Sequence, residues 1–252
     1  MNVWDLICER KSFFMDLCLE HLMISAIAIL IAIAAGGLIG IWLAEYRKFS
    51  KPVIAVVNFL YTIPSISMLG FLIPLSGIGN VTAILALTIY ALLPMVRSTF
   101  TGIINVDENM MEAAKGMGST RGQILRKIKI PLALPVIMSG IRNMVTMTLA
   151  LAGIASFIGA GGLGVAIYRG ITTNNTSMTI AGSLLIAVIA LLADFLLGIA
   201  EKAMQKKAKS RRRRKRKIAF AAALLAALCM VSFGIYSTTK KTDTIQIATK
   251  PM

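Results

Sequence analysis

The chain has 252 residues, of which 57% are hydrophobic and 15% are charged, and its 27 Lys and Arg outnumber 11 Asp and Glu to give a net charge of +16. A soluble domain is apolar for about 45–50% of its residues and a disordered chain for fewer, while a nucleic-acid-binding protein would explain the charge but not a mean hydropathy of +0.77. This composition excludes those three classes and indicates an integral membrane protein.

The first 20 residues lack the features of a signal peptide. Their charges are mixed, and no small-residue cleavage site follows a short apolar core. Apolar residues among these charges, including Trp4, Phe13 and Leu17, predict an amphipathic helix on the outer surface of the membrane. A disordered tail is the alternative.

Six apolar runs are each long enough to cross a bilayer, which takes a helix of about 20 apolar residues. They cover residues 22–43, 53–75, 80–96, 130–158, 178–200 and 218–236. Pro64, Pro74 and Pro94 lie inside the second and third runs and predict kinks, which a membrane helix tolerates when its neighbours satisfy the freed carbonyls. The sequence therefore predicts an all-α polytopic membrane protein with six transmembrane helices.

The loops between these runs are strongly asymmetric in positive charge. Loops 44–52, 97–129 and 201–217 together hold 20 of the 27 basic residues, whereas the loops and termini of the opposite side hold six. Since cytoplasmic loops carry the excess of Lys and Arg, we expect these three loops in the cytoplasm and both chain termini outside.

Loop 97–129 is the longest polar stretch between spans, and it carries helix signals. Asp107 stands at an N-cap position, Gly116 and Gly118 then interrupt the helix, and a second helical piece over 120–129 leads to Pro131. A short helix, a glycine break and a second helix suit docking into a groove of a cytoplasmic partner.

These residues resemble the EAA motif of permease subunits of binding-protein-dependent ABC importers. That motif is Glu-Ala-Ala, three residues, Gly, nine residues, Ile, one residue, Leu and Pro, and the chain departs from it only at Ile130, where Leu is usual. The resemblance implies that the loop couples the membrane helices to the ATPase through Glu112, Ala113, Ala114, Gly116, Gly118, Ile128 and Pro131.

Three further segments resemble one branch of that family, the permeases for quaternary ammonium compatible solutes. They are residues 61–79, 90–97 and 158–164. The resemblance implies a five-helix importer core over residues 21–200, followed by one additional helix, in the plasma membrane of a bacterium. It also implies a betaine-like substrate: glycine betaine, choline, carnitine or a larger betaine such as ergothioneine.

Partners and cofactors are implied by the same resemblance. An ABC importer has two permease domains and two cytoplasmic ATPase subunits, so a chain with one EAA loop is expected to pair with a second copy of itself, as a homodimer, or with a close homologue. ATP and Mg²⁺ are expected on the ATPase subunits, since this chain has no G-x-x-x-x-G-K-[ST] phosphate loop. Cys8, Cys18, Cys229 and His21 are too few and too scattered for a metal site, so we expect no cofactor in this chain. We expect no nucleic acid partner, because the positive charge is mainly a topology signal, and no catalytic residue or enzyme activity, because no span holds a nucleophile–base cluster or paired carboxylates at helical spacing.

The C-terminal part adds to this core. Residues 201–217 form a basic linker whose run 211–217 is a topology anchor or, alternatively, a sensor of ionic strength through contact with anionic lipid. After the sixth span, residues 240–252 alternate polar and apolar like a strand and resemble the opening strand of the substrate-binding proteins of this branch. We therefore expect 237–252 to begin a fused external substrate-binding domain, with a short outer tail as the alternative.

Polar residues inside the predicted spans are functional candidates by default. Arg142 and Asp194 are expected to pair across two helices or to face the pore or a dimer interface. Further candidates for the translocation path are Asn58, Tyr61, Ser65, Met68, Tyr90, Asn143 and Thr148. The rival class, a secondary transporter driven by an ion gradient, predicts inverted repeats, and the sequence has no convincing internal repeat.

Overall fold

A computed structural model describes residues 2–205, and within them the chain forms helices joined by short turns, with no strand. The helices are α1 (Val3–Glu9), α2 (Lys11–Glu45), α3 (Ser50–Thr62), α4 (Ser65–Ser76), α5 (Asn80–Ile104), α6 (Glu108–Gly116), α7 (Arg121–Ile124), α8 (Ile130–Ala152), α9 (Gly164–Thr172) and α10 (Thr176–Gln205). A π-helix (Leu125–Lys129) joins α7 to α8, and 3-10 helices cover Arg47–Phe49 and Gly153–Ile158. The basic run 211–217, the predicted sixth span and residues 237–252 lie outside the described residues.

Four helices in the described part are long and apolar enough to cross a membrane: α2, α5, the helix that includes α8, and α10. The number becomes five if α3 and α4, which are bent by 100° at the break between them, form one span. The prediction of an all-α polytopic membrane protein is confirmed. The total of six spans is not confirmed, since residues 2–205 hold four or five.

Helix α2 begins at Lys11, well before the first predicted span. At about 1.5 Å per residue, a helix of this length exceeds the roughly 30 Å hydrocarbon core of a bilayer. Its first turns bury Phe14 and Leu17 in a cluster with Leu6 of α1 and apolar residues of α9 and α10. Residue 20 is therefore not a boundary in the fold. Of the apolar side chains assigned to the membrane surface, Phe13 and Leu17 pack against protein because the fold brings α9 and α10 to them, whereas Trp4 is exposed.

The predicted kink at Pro64 is a sharp break between α3 and α4. A residue that precedes proline is disfavoured in the helical region, and Ile63 has a ψ of 128°. At this break the hydroxyl of Tyr90, on α5, donates a hydrogen bond to the Ile63 carbonyl. The bond satisfies a backbone acceptor at a point where an irregular chain inside a membrane needs a protein partner. Pro94, by contrast, lies inside α5 without breaking it.

The core of the bundle is formed by α2, α5 and α8, whose apolar side chains share one buried cluster. Gly40 of α2 lies directly against Thr99 of α5, where a Cβ on the glycine would be 2.6 Å from the Thr99 Cβ. Small residues at such crossings let membrane helices approach closely. The α2–α5 crossing therefore requires glycine at residue 40.

Contacts at the two ends of the bundle show that α2 and α5 run in the same direction and that α8 runs in the opposite direction. At one end, Glu20 of α2 lies beside Asn80, the first residue of α5, and Asn80 also bonds Gly161, which follows α8. At the other end, Glu45 of α2 pairs with Lys129, just before α8. The first two basic loops therefore emerge together, at the Lys129 end.

Candidate coupling loop and translocation path

The loop between α5 and α8 begins with the short helix α6. The Asp107 carboxylate accepts a 3.0 Å hydrogen bond from the Asn109 amide, so the predicted N-cap is confirmed. The helix ends at Gly116, and Gly118 has a φ of +80°, in the left-handed region that favours glycine. The predicted glycine break is the point where the chain leaves α6 and turns back.

The second helical piece of the loop starts with a capping box. The Thr120 hydroxyl accepts from the Gln123 amide at 3.4 Å, and the Gln123 side chain accepts from the Thr120 amide at 2.9 Å. Four α-helical residues follow, and then the chain widens into the π-helix Leu125–Lys129. The predicted extent of 120–129 is confirmed, but the π-helical turn was not predicted. A π-helical turn is a local irregularity of the helical hydrogen-bond pattern, and such turns are frequent at functional sites.

Exposure divides the motif residues of this loop. The exposed members are Glu112, Ala113, Gly116, Gly118 and Pro131. Ala114 is buried and Ile128 is half-buried. A free carboxylate beside small side chains permits the close approach of another protein, so α6 presents a surface on which a partner can dock.

Lys129 ends the π-helix and reaches across to α2. Its ammonium nitrogen lies 2.6 Å from Glu45 Oε1, and the two side chains are 19% and 27% exposed. Lys129 occupies the variable position between Ile128 and Ile130 of the motif, and Glu45 is 84 residues away in the sequence. Sequence reasoning missed this pair because no local pattern links the two positions.

Four of the residues predicted for the translocation path lie together around the break between α3 and α4. Tyr61 and Tyr90 are edge to face with ring centroids 5.8 Å apart, and the Tyr61 hydroxyl donates to Met147 Sδ at 3.1 Å. Met68 packs in the same apolar cluster as Tyr90. Ser65 and Tyr90 line a small cavity. Tyr61 is exposed, whereas Met68 and Tyr90 are buried.

The other three predicted path residues lie apart from this group. Asn58 lies one turn before Tyr61 on α3, and its Oδ1 accepts a 3.2 Å hydrogen bond from Arg97. Thr148 is fully buried, and its hydroxyl donates to the Met144 carbonyl of its own helix. Asn143 is exposed on α8. No hydrogen bond within residues 2–205 connects these three side chains to the tyrosines.

Arg142 and Asp194 form an ion pair between α8 and α10, with Glu201 as a third member. Sequence reasoning named the first two residues but placed Glu201 in the cytoplasmic linker. The signal available in the sequence was the spacing, because residues 194, 198 and 201 lie on one face of a helix. Gly198 leaves room there, since a Cβ on it would lie 3.1 Å from Arg142 Cζ.

A second polar cluster lies at the opposite end of the bundle from the coupling loop. The Glu20 carboxylate accepts from Asn80 Nδ2 at 2.8 Å and from the Gly162 amide at 3.1 Å, while Asn80 Oδ1 accepts from the Gly161 amide at 2.8 Å. Glu20, Asn80 and Gly161 border a cavity of about 590 Å³. Sequence analysis missed the cluster, since Glu20 was taken as part of a separate segment.

Comparison with known protein families identifies the bundle. Residues 36–206 match the family described as "binding-protein-dependent transport system inner membrane component", which is well over half of the chain. The chain belongs to this family. It is thus a membrane permease that works with ATPase subunits and substrate-binding proteins, and it is a transport component rather than an enzyme.

Curated relatives of this permease are similar over most of their length. The choline transport system permease protein OpuBD of Bacillus subtilis is 41% identical over 204 residues, which are 81% of this chain and 90% of that protein. The carnitine transport permease protein OpuCD of Listeria monocytogenes is 41% identical over 194 residues, 77% of this chain and 87% of that protein. The osmoprotectant import permease protein OsmW of Salmonella typhimurium is 38% identical over 202 residues, 78% of this chain and 94% of that protein.

Solved transporters share the fold of the permease. The MetNI methionine ABC transporter, in an inward-facing conformation, superimposes with a TM-score of 0.68 at 26% identity, covering 73% of this chain and 93% of that chain. An amino acid ABC transporter crystallised with histidines gives a TM-score of 0.65 at 22% identity, covering 80% and 98%. The bundle is therefore the membrane domain of an ABC transporter.

Proposed function

We propose that this permease imports a betaine-like quaternary ammonium solute: glycine betaine, choline, carnitine or a larger betaine such as ergothioneine. The observation that carries the proposal is the identity of 38–41% to permeases named for choline, carnitine and osmoprotectants, over at least 87% of the length of each. Similarity that extends through nearly the whole of those proteins includes both the coupling loop and the spans around the tyrosine pair.

The loop from Asp107 to Pro131 is the proposed contact with the ATPase subunits. Its helix α6 exposes Glu112 at the end of the bundle where the first two basic loops emerge, and the loop is continuous with α5 and α8 of the core. ATP binding by the ATPase pair would displace α6, and the close packing of α2, α5 and α8 would carry the displacement into the membrane as a change between inward-facing and outward-facing arrangements. ATP and Mg²⁺ are bound by the ATPase.

The proposed transporter contains two copies of this permease, because each chain supplies one coupling loop and an ABC importer has two ATPase subunits. The charge asymmetry of the loops favours a cytoplasmic position for the Lys129 end and an external position for both termini. The strand-like pattern of residues 240–252 favours a fused external substrate-binding domain, which would raise the local concentration of captured substrate at the permease.

The substrate is tested by uptake of radiolabelled glycine betaine, choline, carnitine and ergothioneine into cells that produce the permease with its ATPase and binding domain. We expect saturable uptake of at least one of these solutes, and loss of that uptake when the ATPase is deleted. Absence of uptake for all four contradicts the substrate class. Uptake that persists without the ATPase and collapses with a protonophore contradicts ATP coupling.

The coupling loop is tested separately by Glu112→Ala. Truncation of a residue central to an interface should lower both uptake and recovery of the ATPase with the tagged permease by about tenfold or more. The matched control is Glu108→Ala, because Glu108 is also exposed on α6 but lies outside the motif. If Glu112→Ala and Glu108→Ala give equal uptake, the proposed contact of Glu112 with the ATPase is contradicted.

A further inference from the structure

Helix α2 is separated from the coupling loop in the sequence by α3, α4 and α5, yet one ion pair joins it to the end of that loop. The loop is continuous with α5 before it and with α8 after it. Lys129, at the junction of the loop with α8, holds Glu45 of α2 at 2.6 Å. The pair lies at the end of the bundle where α6 is exposed, so any displacement of the loop reaches Lys129 before it reaches the core of α8.

The segment just before Lys129 is the part of the loop most able to absorb such a displacement. The π-helix Leu125–Lys129 has the wider turn of i→i+5 hydrogen bonding, between the four-residue helix α7 and α8. A change of one residue in its hydrogen-bond register would let α7 and α6 move while α8 stays in place. A contact that ties the junction directly to α2 would therefore strengthen the transmission that the apolar packing of α2, α5 and α8 provides.

The packing of α2 makes Glu45 suitable for this contact. Gly40 is in close contact with Thr99, so α2 and α5 pack tightly against each other near their C-terminal ends. Glu45 is the last residue of α2, one turn beyond Gly40, and its carboxylate extends the α2–α5 unit to the start of α8. When the Glu45–Lys129 pair is intact, it joins α2 and α5 to the start of α8. Displacement of the coupling loop then acts on all three helices and is not absorbed by the π-helix alone.

We propose that the Glu45–Lys129 ion pair is a clasp that passes displacement of the coupling loop to the first membrane span. This inference rests on the proposed coupling function of the loop. Both residues are positioning residues, since neither is assigned a contact with substrate or ATP. Without the clasp, the π-helical segment absorbs part of the displacement, and ATP hydrolysis continues with less transport per ATP.

The test separates two possible roles of the pair, stabilisation of the fold and transmission of the loop's displacement. Glu45 is exposed at the end of α2 and Lys129 is half-buried, and ion pairs that are open to solvent contribute little to folding. Variants that lose the pair should therefore insert, assemble with the ATPase and hydrolyse ATP. The quantity that should change is the number of substrate molecules moved per ATP, which a purely structural role would leave unchanged.

The experiment uses the full transporter in proteoliposomes and measures uptake and ATP hydrolysis in the same sample. Glu45→Lys and Lys129→Glu should each lower transport per ATP by about fivefold, at the small end of the usual range of coupling free energies. The combined exchange, Glu45→Lys with Lys129→Glu, should return the ratio to within about twofold of the wild type, as expected for two residues that interact directly. Glu45→Gln removes the pair without placing like charges together, and it should also lower the ratio.

The matched control is Lys51→Glu, because Lys51 lies at the same end of the bundle outside the coupling loop, is exposed and makes no ion pair within the described part of the chain. It should keep the ratio of the wild type. The clasp is overturned if assembled Glu45→Gln and Lys129→Glu transporters keep the wild-type ratio, or if the combined exchange gives no recovery. If wild-type uptake does not depend on ATP at all, the proposed function itself fails, and that result is distinct from a coupled wild type with equally coupled variants.

Discussion

Arg142 of α8 and Asp194 of α10 form a two-point ion pair, in which Nε and Nη2 of the guanidinium each donate a 2.6 Å hydrogen bond to a different carboxylate oxygen. Glu201 accepts a third bond from Nη1 at 3.3 Å. The first half of α10 buries Met178 and Ala181 in the cluster with α1, α2 and α9. The half that carries Asp194 exposes large apolar side chains: Leu191, Leu192, Phe195 and Ile199. The ion cluster thus attaches this second half to the bundle.

We expect Asp194→Asn to lower the melting temperature of the permease in detergent. The substitution leaves the Arg142 charge without its carboxylate inside a predicted span, where charged side chains are rare and normally paired. Removal of all three charges, in Arg142→Met with Asp194→Leu and Glu201→Gln, should cost less than Asp194→Asn alone, because no charge of the cluster remains. The exposed residue Leu191 supplies the control, and Leu191→Ala should melt close to the wild type. Equal melting of Asp194→Asn and the control would show that the pair does not hold α10.

Tyr90→Phe tests the hydrogen bond at the break between α3 and α4. The variant keeps the ring and its contact with Tyr61 but removes the hydroxyl that donates to the Ile63 carbonyl. We expect a loss of about 1–3 kcal/mol, the usual cost of leaving a buried acceptor unsatisfied, seen as a lower melting temperature. Tyr168→Phe is the matched control, because the Tyr168 hydroxyl makes no hydrogen bond within residues 2–205. A Tyr90→Phe permease as stable as the control would mean that the carbonyl finds another donor.

Gly40→Ala tests the close crossing of α2 and α5. The added methyl would lie 2.6 Å from the Thr99 Cβ, so the two helices must separate. Overpacking of this kind costs about 1–3 kcal/mol, and the melting temperature and the uptake rate should both fall. Gly70→Ala is the control, because a Cβ on Gly70 meets no atom within 4 Å. The crossing is not tight in solution if the two variants behave alike.

Gly161→Ala tests the polar cluster at the opposite end from the coupling loop. A Cβ on Gly161 would fall on the Glu20 carboxylate, which accepts from Asn80 and from the Gly162 amide. We expect Gly161→Ala and Glu20→Ala each to lower the melting temperature. The combined variant should lose less than the sum of the two, because truncation of Glu20 makes the room that the new methyl needs. Strict additivity of the two losses would count against a direct contact.

Several features were predictable because their physical cause is local. Apolar runs require a membrane whatever the fold, so the all-α polytopic class follows from composition and hydropathy. The Asp107 cap and the end of α6 near Gly116 depend on side chains within one or two turns. The Glu112 loop was recognised because the motif has several defined positions at long spacing within one segment.

Other features depend on where helices lie after packing, and no segment by itself contains that information. The start of α2 at Lys11 is stabilised by a cluster with α9 and α10, more than 140 residues further along the chain. The π-helical turn before Lys129 and the 100° bend at Pro64 are geometries that a proline or a basic run does not specify. The sequence by itself determined that the chain is a helical membrane protein with a loop of one family's motif. Only the tertiary structure decided which charges meet, Glu45 with Lys129 and Arg142 with Asp194 and Glu201, because the rotation of each helix about its own axis is settled by the neighbours it packs against.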